Sequence, residues 1–364
     1  MKNRITGYVL IILAAICFRS AQEKAVLLSI ERQALGISTY STIENAPPSM
    51  ALATMMLGGF RGVIADVLWL RINYLQEMGQ YFEIATLADW ITRLEPGNSA
   101  VWGYHAWNMS YNISVIMGNP EDRWRWVQNG ISLLRNEGMR YNANDAELHF
   151  DLGWIFEDKI GGKTDQMHMF YKKKLASIAQ EYFGDSPKDT MNLIGDEARA
   201  SRIKADLVMD PLIITELTYK YGNIDWRLPS AHALYWAYKG RRNARDLSLF
   251  RCNHMITRSL TDLFIKGTLL YDKSADIYQT SPCTSIFDAC IREYEEILQK
   301  NKDELLLTSF KSILVYGMLV FEKTGDSVRA RNAYAKLCSI DKSISGSYEQ
   351  FINDISVNDS KMLK

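Results

Sequence analysis

This sequence lacks a net charge, a long unbroken apolar run and any recognisable catalytic or metal-binding signature. Its 42 lysines and arginines are cancelled by 42 aspartates and glutamates. Without a surplus of either sign there is no global field to coat a nucleic acid, and none is expected as a partner. HExxH, G-x-S-x-G and Cys/His ligand spacings are all missing, and the five histidines (His105, His149, His168, His232 and His254) are scattered. In "ELHFD", Glu147, His149 and Asp151 are two residues apart, a spacing that diverges on a helix and suits no metal. Adjacent acids such as Glu121 with Asp122, or Glu157 with Asp158, read as helix starts and surface. No catalytic residue, cofactor or metal is therefore nominated, and the expectation is a protein that is not an enzyme.

Apolar runs stop short of the roughly 20 residues that span a bilayer as a helix. The closest approach is "ITGYVLIILAAICF", Ile5 to Phe18, preceded by Lys2 and Arg4 and closed by Arg19. A basic start and an apolar run describe either a signal peptide or an anchor. Arg19 occupies the −3 position for cleavage after Ala21, and Ile16 spoils "AAIC" as a lipoprotein box. An uncleaved signal anchor over 1–21 is the expectation, with a removed signal peptide and a buried soluble helix as alternatives. An anchor with its N-terminus inside puts the remainder outside the cytoplasm, on a bacterial inner membrane. Cysteines are few as well: Cys17, Cys252, Cys283, Cys290 and Cys338. Cys283 and Cys290 can pair only if Cys283 precedes a helix begun near Ser285, so buried free thiols are expected.

What the sequence does contain is recurring punctuation. A linker over 22–49 ends at Pro47 and Pro48. "LGGFRGVIADVLWLR", residues 57–71, is interrupted by Arg61 and Asp66, too polar for a second span. Gly58, Gly59 and Gly62 have no strand before them and no Lys-Ser/Thr after them, so they do not form a phosphate loop. "LADWITRLEPGN" and "EGMRYNAND" then close two helices alike, at Leu94 to Pro96 and at Tyr141 to Asp145. "NPEDRWRW" opens another helix, with Asn119 as cap, Pro120 at its first position and two acids in its first turn. Its alternating arginines and tryptophans face different sides, which favours packing and ion pairing over base stacking. The basic runs Lys172 to Lys174 and "KGRRNAR" read as solvated faces rather than headgroup contacts.

These segments resemble the tetratricopeptide family, whose repeat of about 34 residues is a pair of antiparallel helices. If Pro96 closes one repeat, Ala65 starts it, with Leu75 and Ala88 in family positions, and Ser99 starts the next, bringing Trp102 to the family's first aromatic. Ala146 begins a third, where Leu152, Gly153 and Phe156 match the Leu-Gly-x-x-aromatic core. Ser99 to Ala146 is too long by about 13 residues, which suggests an insertion around "VIMGNPEDRW". Near the C-terminus, Ala330, Tyr334 and Leu337 fit the second helix of a further repeat. Segments such as "LGGFRG" and "AWNMSYNISV" are also similar to an uncharacterised group of bacterial envelope proteins with a tetratricopeptide-like body. The resemblance implies an all-α superhelix following one N-terminal transmembrane helix. Repeats are expected over 50–160, irregular helical repeats over 161–300, a C-terminal repeat over 301–346 and a tail over 347–364.

In such repeats, side chains of the first helix line a concave groove. The matching positions give Asn73 and Gln76, then Trp107 and Tyr111, then Glu147, Trp154 and Glu157. Most of the seven tryptophans from Trp69 to Trp154 are expected in the core, apart from those in the groove. Gripping a C-terminal carboxylate takes Lys, Arg and Asn, and only Asn73 qualifies. The resemblance thus implies a scaffold for a basic or aromatic protein segment, as part of an envelope complex. Its rivals are a structural subunit of a transport or secretion assembly and an enzyme acting on cell-wall material.

Overall fold

The computed structural model describes residues 60–222, 224–344 and 346–362, together with residues 19, 20, 23, 24, 27 and 31. The expected anchor and linker therefore lie outside the described residues, those few positions aside. The molecule is 77% helical, with a single two-stranded sheet among the described residues.

Helices α1 (Phe60–Glu77) and α2 (Tyr81–Leu94) form a hairpin that turns at Gly79, whose φ of 68° suits glycine. On α2, Ile84, Leu87, Ala88 and Ile91 repeat at helical spacing and close over Ala65, Ile72 and Leu75 of α1. Helix α3 (Ser99–Trp107) continues through a π-helical stretch, Asn108–Ile113, into a last turn. Helix α4 (Pro120–Ser132) does the same through Leu133–Gly138. Asn119 caps α4 as expected, its side-chain oxygen accepting the Asp122 amide at 2.8 Å. The two closing punctuations meet: the Pro96 carbonyl accepts from the Trp102 indole at 2.8 Å and from the Asn142 amide at 2.9 Å.

The extra residues expected as an insertion near "VIMGNPEDRW" are not a loop. Only Met117, Gly118 and Asn119 separate the two helical segments, and the surplus lengthens both helices through their π-helical turns.

Helix α5 (Ala146–Trp154) is capped by Asp145 and extended by π-helical Ile155–Ile160. It does not pair with the next helix. Three helices intervene, α6 (His168–Phe183), α7 (Glu197–Asp206) and α8 (Pro211–Tyr221), and α5 packs instead along α9 (Pro229–Arg241) and α10 (Asp246–Lys266). Gly153 is where α5, α9 and α10 converge: a Cβ there would stand 2.6 Å from Met255 Sδ. From α10 the chain makes a hairpin of β1 (Thr268–Asp272) and β2 (Ile277–Ser281), antiparallel with Thr268 opposite Ser281. Helices α11 (Phe287–Lys300), α12 (Glu304–Thr324) and α13 (Ser327–Ile340) follow, each packed on its predecessor. The segment read as a tail carries α14 (Tyr348–Met362), in contact with α12.

Core positions read from the sequence fall inside: Leu152, Phe156, Ala330 and Leu337 are buried. Tryptophan is different. Of the seven from Trp69 to Trp154 only Trp102 and Trp124 are buried, while Trp90 and Trp107 are exposed. Helices whose outer faces carry aromatics leave periodicity unable to say which face is covered. The described cysteines are all free, with Cys252 and Cys290 buried. Among the described residues one helix, α12, is long and apolar enough to cross a membrane, but it packs between α11 and α13 and buries Leu306, Phe310, Leu314, Met318 and Phe321.

Candidate functional site: a groove between α5, α10 and α12

Residues three and four apart share a helix face, so Glu147, Phe150, Trp154 and Glu157 point one way from α5. Facing them, α10 presents Phe250, Arg251, His254 and Arg258, again at spacings of three and four. Leu305, Ser309, Ser312 and Tyr316 of α12 close the third side. Together they enclose a cavity of about 670 Å³ whose floor is Met255, Ile265, Tyr294 and Ile313. Phe150 and Trp154 stack with ring centres 6.1 Å apart, and Phe250 and Leu305 are exposed at the rim.

The basic side chains along this groove already have partners. Arg251 bonds Glu147 at 2.7 Å and covers the Phe150 ring. Arg258 covers the Trp154 ring with its guanidinium 5.6 Å from the ring centre. His254 stands 2.5 Å from Asp303. Each pairing lowers the demand for an acidic ligand and leaves an apolar, aromatic surface in between.

Glu157 is the exception. Its residue is 2% exposed, and its Oε2 accepts from Ser259 at 3.1 Å. Oε1 has Arg258 Nε 3.0 Å away but not aligned as a donor, so this buried oxygen has no hydrogen-bond partner. Burial, helped by the nearby Asp262 charge and opposed by Arg258, pushes its carboxyl up to about 7. Near neutral pH the group sits between a protonated hydrogen-bond donor and a carboxylate held beside Arg258 with Oε1 unbonded, and in either state it can receive a polar group from a ligand.

The other sequence-derived groove residues lie on a neighbouring strip. Asn73 is exposed on α1, and Gln76 accepts a bond from Tyr104 at 3.2 Å. Trp107 sits between Tyr104 and Tyr111, and the Tyr111 hydroxyl donates to Asp158 at 3.1 Å. Burial and then Asp158 hold the Tyr111 hydroxyl above its ordinary value, so it stays a donor. Successive helical residues are about 100° apart, so Asp158 faces α3 while Glu157 faces α10. The nominated residues therefore form two surfaces that meet on α5: Asn73, Gln76, Trp107 and Tyr111 on one, and Glu147, Trp154 and Glu157 on the other.

Sequence reasoning missed the α10 and α12 contributions. The 250, 254, 258 spacing was visible, but nothing local says that this helix stands opposite α5. The arginine and lysine runs turn out to be bonded internally. Arg123 reaches the carbonyls of Val115 and Met117, Lys173 pairs with Asp276, Lys174 with Glu121, Arg241 with Glu293 and Arg242 with Glu216. Among the described residues no group of three or more His, Cys, Asp or Glu side chains could hold a metal ion. No family model matches the chain, no curated protein matches it, and no solved structure does.

Proposed function

We propose that this protein is a non-catalytic binding scaffold in a bacterial envelope, a tetratricopeptide-like superhelix that captures a partner protein's aromatic or aliphatic segment in the groove between α5, α10 and α12. The observation that carries this reading is the groove's composition: stacked Phe150 and Trp154 on an apolar floor, with flanking arginines already neutralised by Glu147 and Glu157. An apolar segment gains from leaving water there, at about 25 cal/mol per Å² buried. A lysine, arginine or other donor on the same segment would meet the unpartnered Glu157 Oε1. This supports a partner with basic or aromatic character. The superhelix is supported by the order of packing, in which α3 touches α5, α5 touches α9 and α10, α10 touches α11, α11 touches α12 and α12 touches α13. An N-terminal transmembrane helix over 1–21 would hold the body on the outer side of the inner membrane.

The test is photo-crosslinking in the native membrane from the exposed rim positions Phe250 and Leu305. One reproducible protein neighbour, lost when Trp154 is changed to Ala, is the expected result. No neighbour at either position, with the protein folded, would refute groove binding.

A second reading, a structural subunit of an envelope assembly, is favoured by α1. Phe60, Val63, Val67, Leu70 and Tyr74 alternate at spacings of three and four on its outer face, and all are exposed, Phe60 by 74% and Leu70 by 70%. That is the spacing of a helix-packing seam. Crosslinks from Val67 and Leu70, and none from the groove, would select it.

A further inference from the structure

On the other side of Glu157 from the groove is a second cavity, of about 210 Å³, with a different chemistry. Lys163, Lys172, Lys266 and His168 line it, with the acids Asp262 and Glu157. Lys266 bonds Asp262 at 3.2 Å, and the Glu157 carboxylate is matched with Arg258. That leaves two lysines. Among the described residues Lys163 has no carboxylate partner. Lys172 donates to the Gly162 carbonyl at 2.9 Å and stands 3.0 Å from His168 Nδ1, both neutral partners. Burial, then Lys266 and Lys163, push its amine down to about 8. The neighbours Lys173 and Lys174, one and two residues on, each find an acid.

The N-terminus of α9 adds to this wall. Leu228, Pro229 and Ser230 line the cavity, and Leu228, in the capping position, has no side chain able to cap. The N-terminus of α9 thus borders the same space as two lysines that have no carboxylate partner. The Ser230 and Tyr278 hydroxyls stand on the same wall.

We propose that this pocket binds a phosphate group, carried by a phosphorylated small molecule or by a lipid headgroup. Two unmatched positive charges fit a phosphate dianion, whereas a carboxylate would neutralise only one of them. Lys172 and Lys163 hold the oxygens from one side and the α9 N-terminus from the other. Neutral His168 accepts from Lys172 through Nδ1 and so aims that lysine.

The experiment is calorimetric titration of the full-length protein in detergent with inorganic phosphate, at ionic strength held constant with chloride. Saturable one-to-one binding is expected. Lys172→Gln should weaken it roughly tenfold or more, and the exposed Lys163→Gln, which leaves packing untouched, by several-fold. Lys173→Gln, which removes a paired lysine from the same helix, should leave binding unchanged. Absence of saturable binding, or equal weakening by Lys173→Gln, would overturn the site. Flotation with phosphatidylcholine vesicles, with and without phosphatidic acid, separates the sources. Vesicle binding that needs phosphatidic acid, Lys163 and Lys172 assigns the headgroup; phosphate binding without it assigns a soluble phosphoester.

Discussion

Changing Trp154 to Ala separates a binding surface from a core. A fully buried Trp replaced by Ala costs about 3–5 kcal/mol, because its contacts vanish and a cavity remains. Trp154 is only half-buried, and one face borders a space that is already open. Its removal forfeits the stack with Phe150 and the Arg258 cover, together worth about 1–2 kcal/mol. For a partner docked in the groove the same ring is a central aromatic anchor, worth about 2 kcal/mol or more, or roughly 30-fold in affinity. The measurement is urea denaturation alongside affinity for the crosslinked partner, with Trp236→Ala as the buried reference, since Trp236 is almost wholly inside. Trp154→Ala should lose affinity with a small shift in midpoint, and Trp236→Ala should lose stability outright. A Trp154 variant as unstable as the Trp236 one, binding normally when folded, would refute this reasoning.

Glu293 is buried between α8, α9 and α11, where it accepts from Tyr221 and Lys220 at 2.7 Å each and pairs with Arg241. Glu293→Ala should destabilise by about 3 kcal/mol, the low end for a broken buried pair because Lys220 and Arg241 keep some access to water; an unchanged urea midpoint would contradict it. Its carboxyl is held below the ordinary value by Arg241, so this stability is present above the unfolded pKa and lost as pH falls through the folded one. Glu157 has the opposite sign. Its pKa rises from 4.5 to about 7 on folding, so its contribution is complete below 4.5 and fades as pH rises through 7. Glu157→Gln should therefore gain on the wild type between pH 5 and pH 8, by on the order of 2 kcal/mol, and a difference independent of pH in paired melts would exclude this. Gly153→Val should cost about 1–3 kcal/mol by driving its side chain into Met255; a variant with the wild-type melting temperature would show that the three helices can spread.

Much of the helical framework was legible in the sequence. Pro96, Trp102 and Asn142 mark turns that do meet, and Leu152, Gly153 and Phe156 lie on the packed side of α5, where the small residue between two large ones lets Met255 approach. The middle was not legible. Hydrophobic period tells a helix which face to bury, not which helix will cover it, and α5 is covered by a segment that begins beyond three others. The π-helical turns also break the regular 3.6-residue period from which facing is read, beginning at Ile155 on α5. The groove was half legible for the same reason: its α5 wall follows from spacing, and its α10 and α12 walls follow only from tertiary order.

The separation of α5 from α9 also has a bearing on how the chain acquires its shape. When α5 has emerged, its principal partner, Pro229–Arg241, is still about 70 residues away, which at roughly 5–20 residues per second is several seconds of waiting. During that interval Leu152 and Phe156 would be open to water or to other chains. Helices α6 to α8 arrive first, and in the finished molecule α6 packs on the end of α5. Of these three, α6 is the one in place to shield part of that surface before α9 arrives. Shortening this segment would then alter the yield of folded protein before it altered the stability of the product.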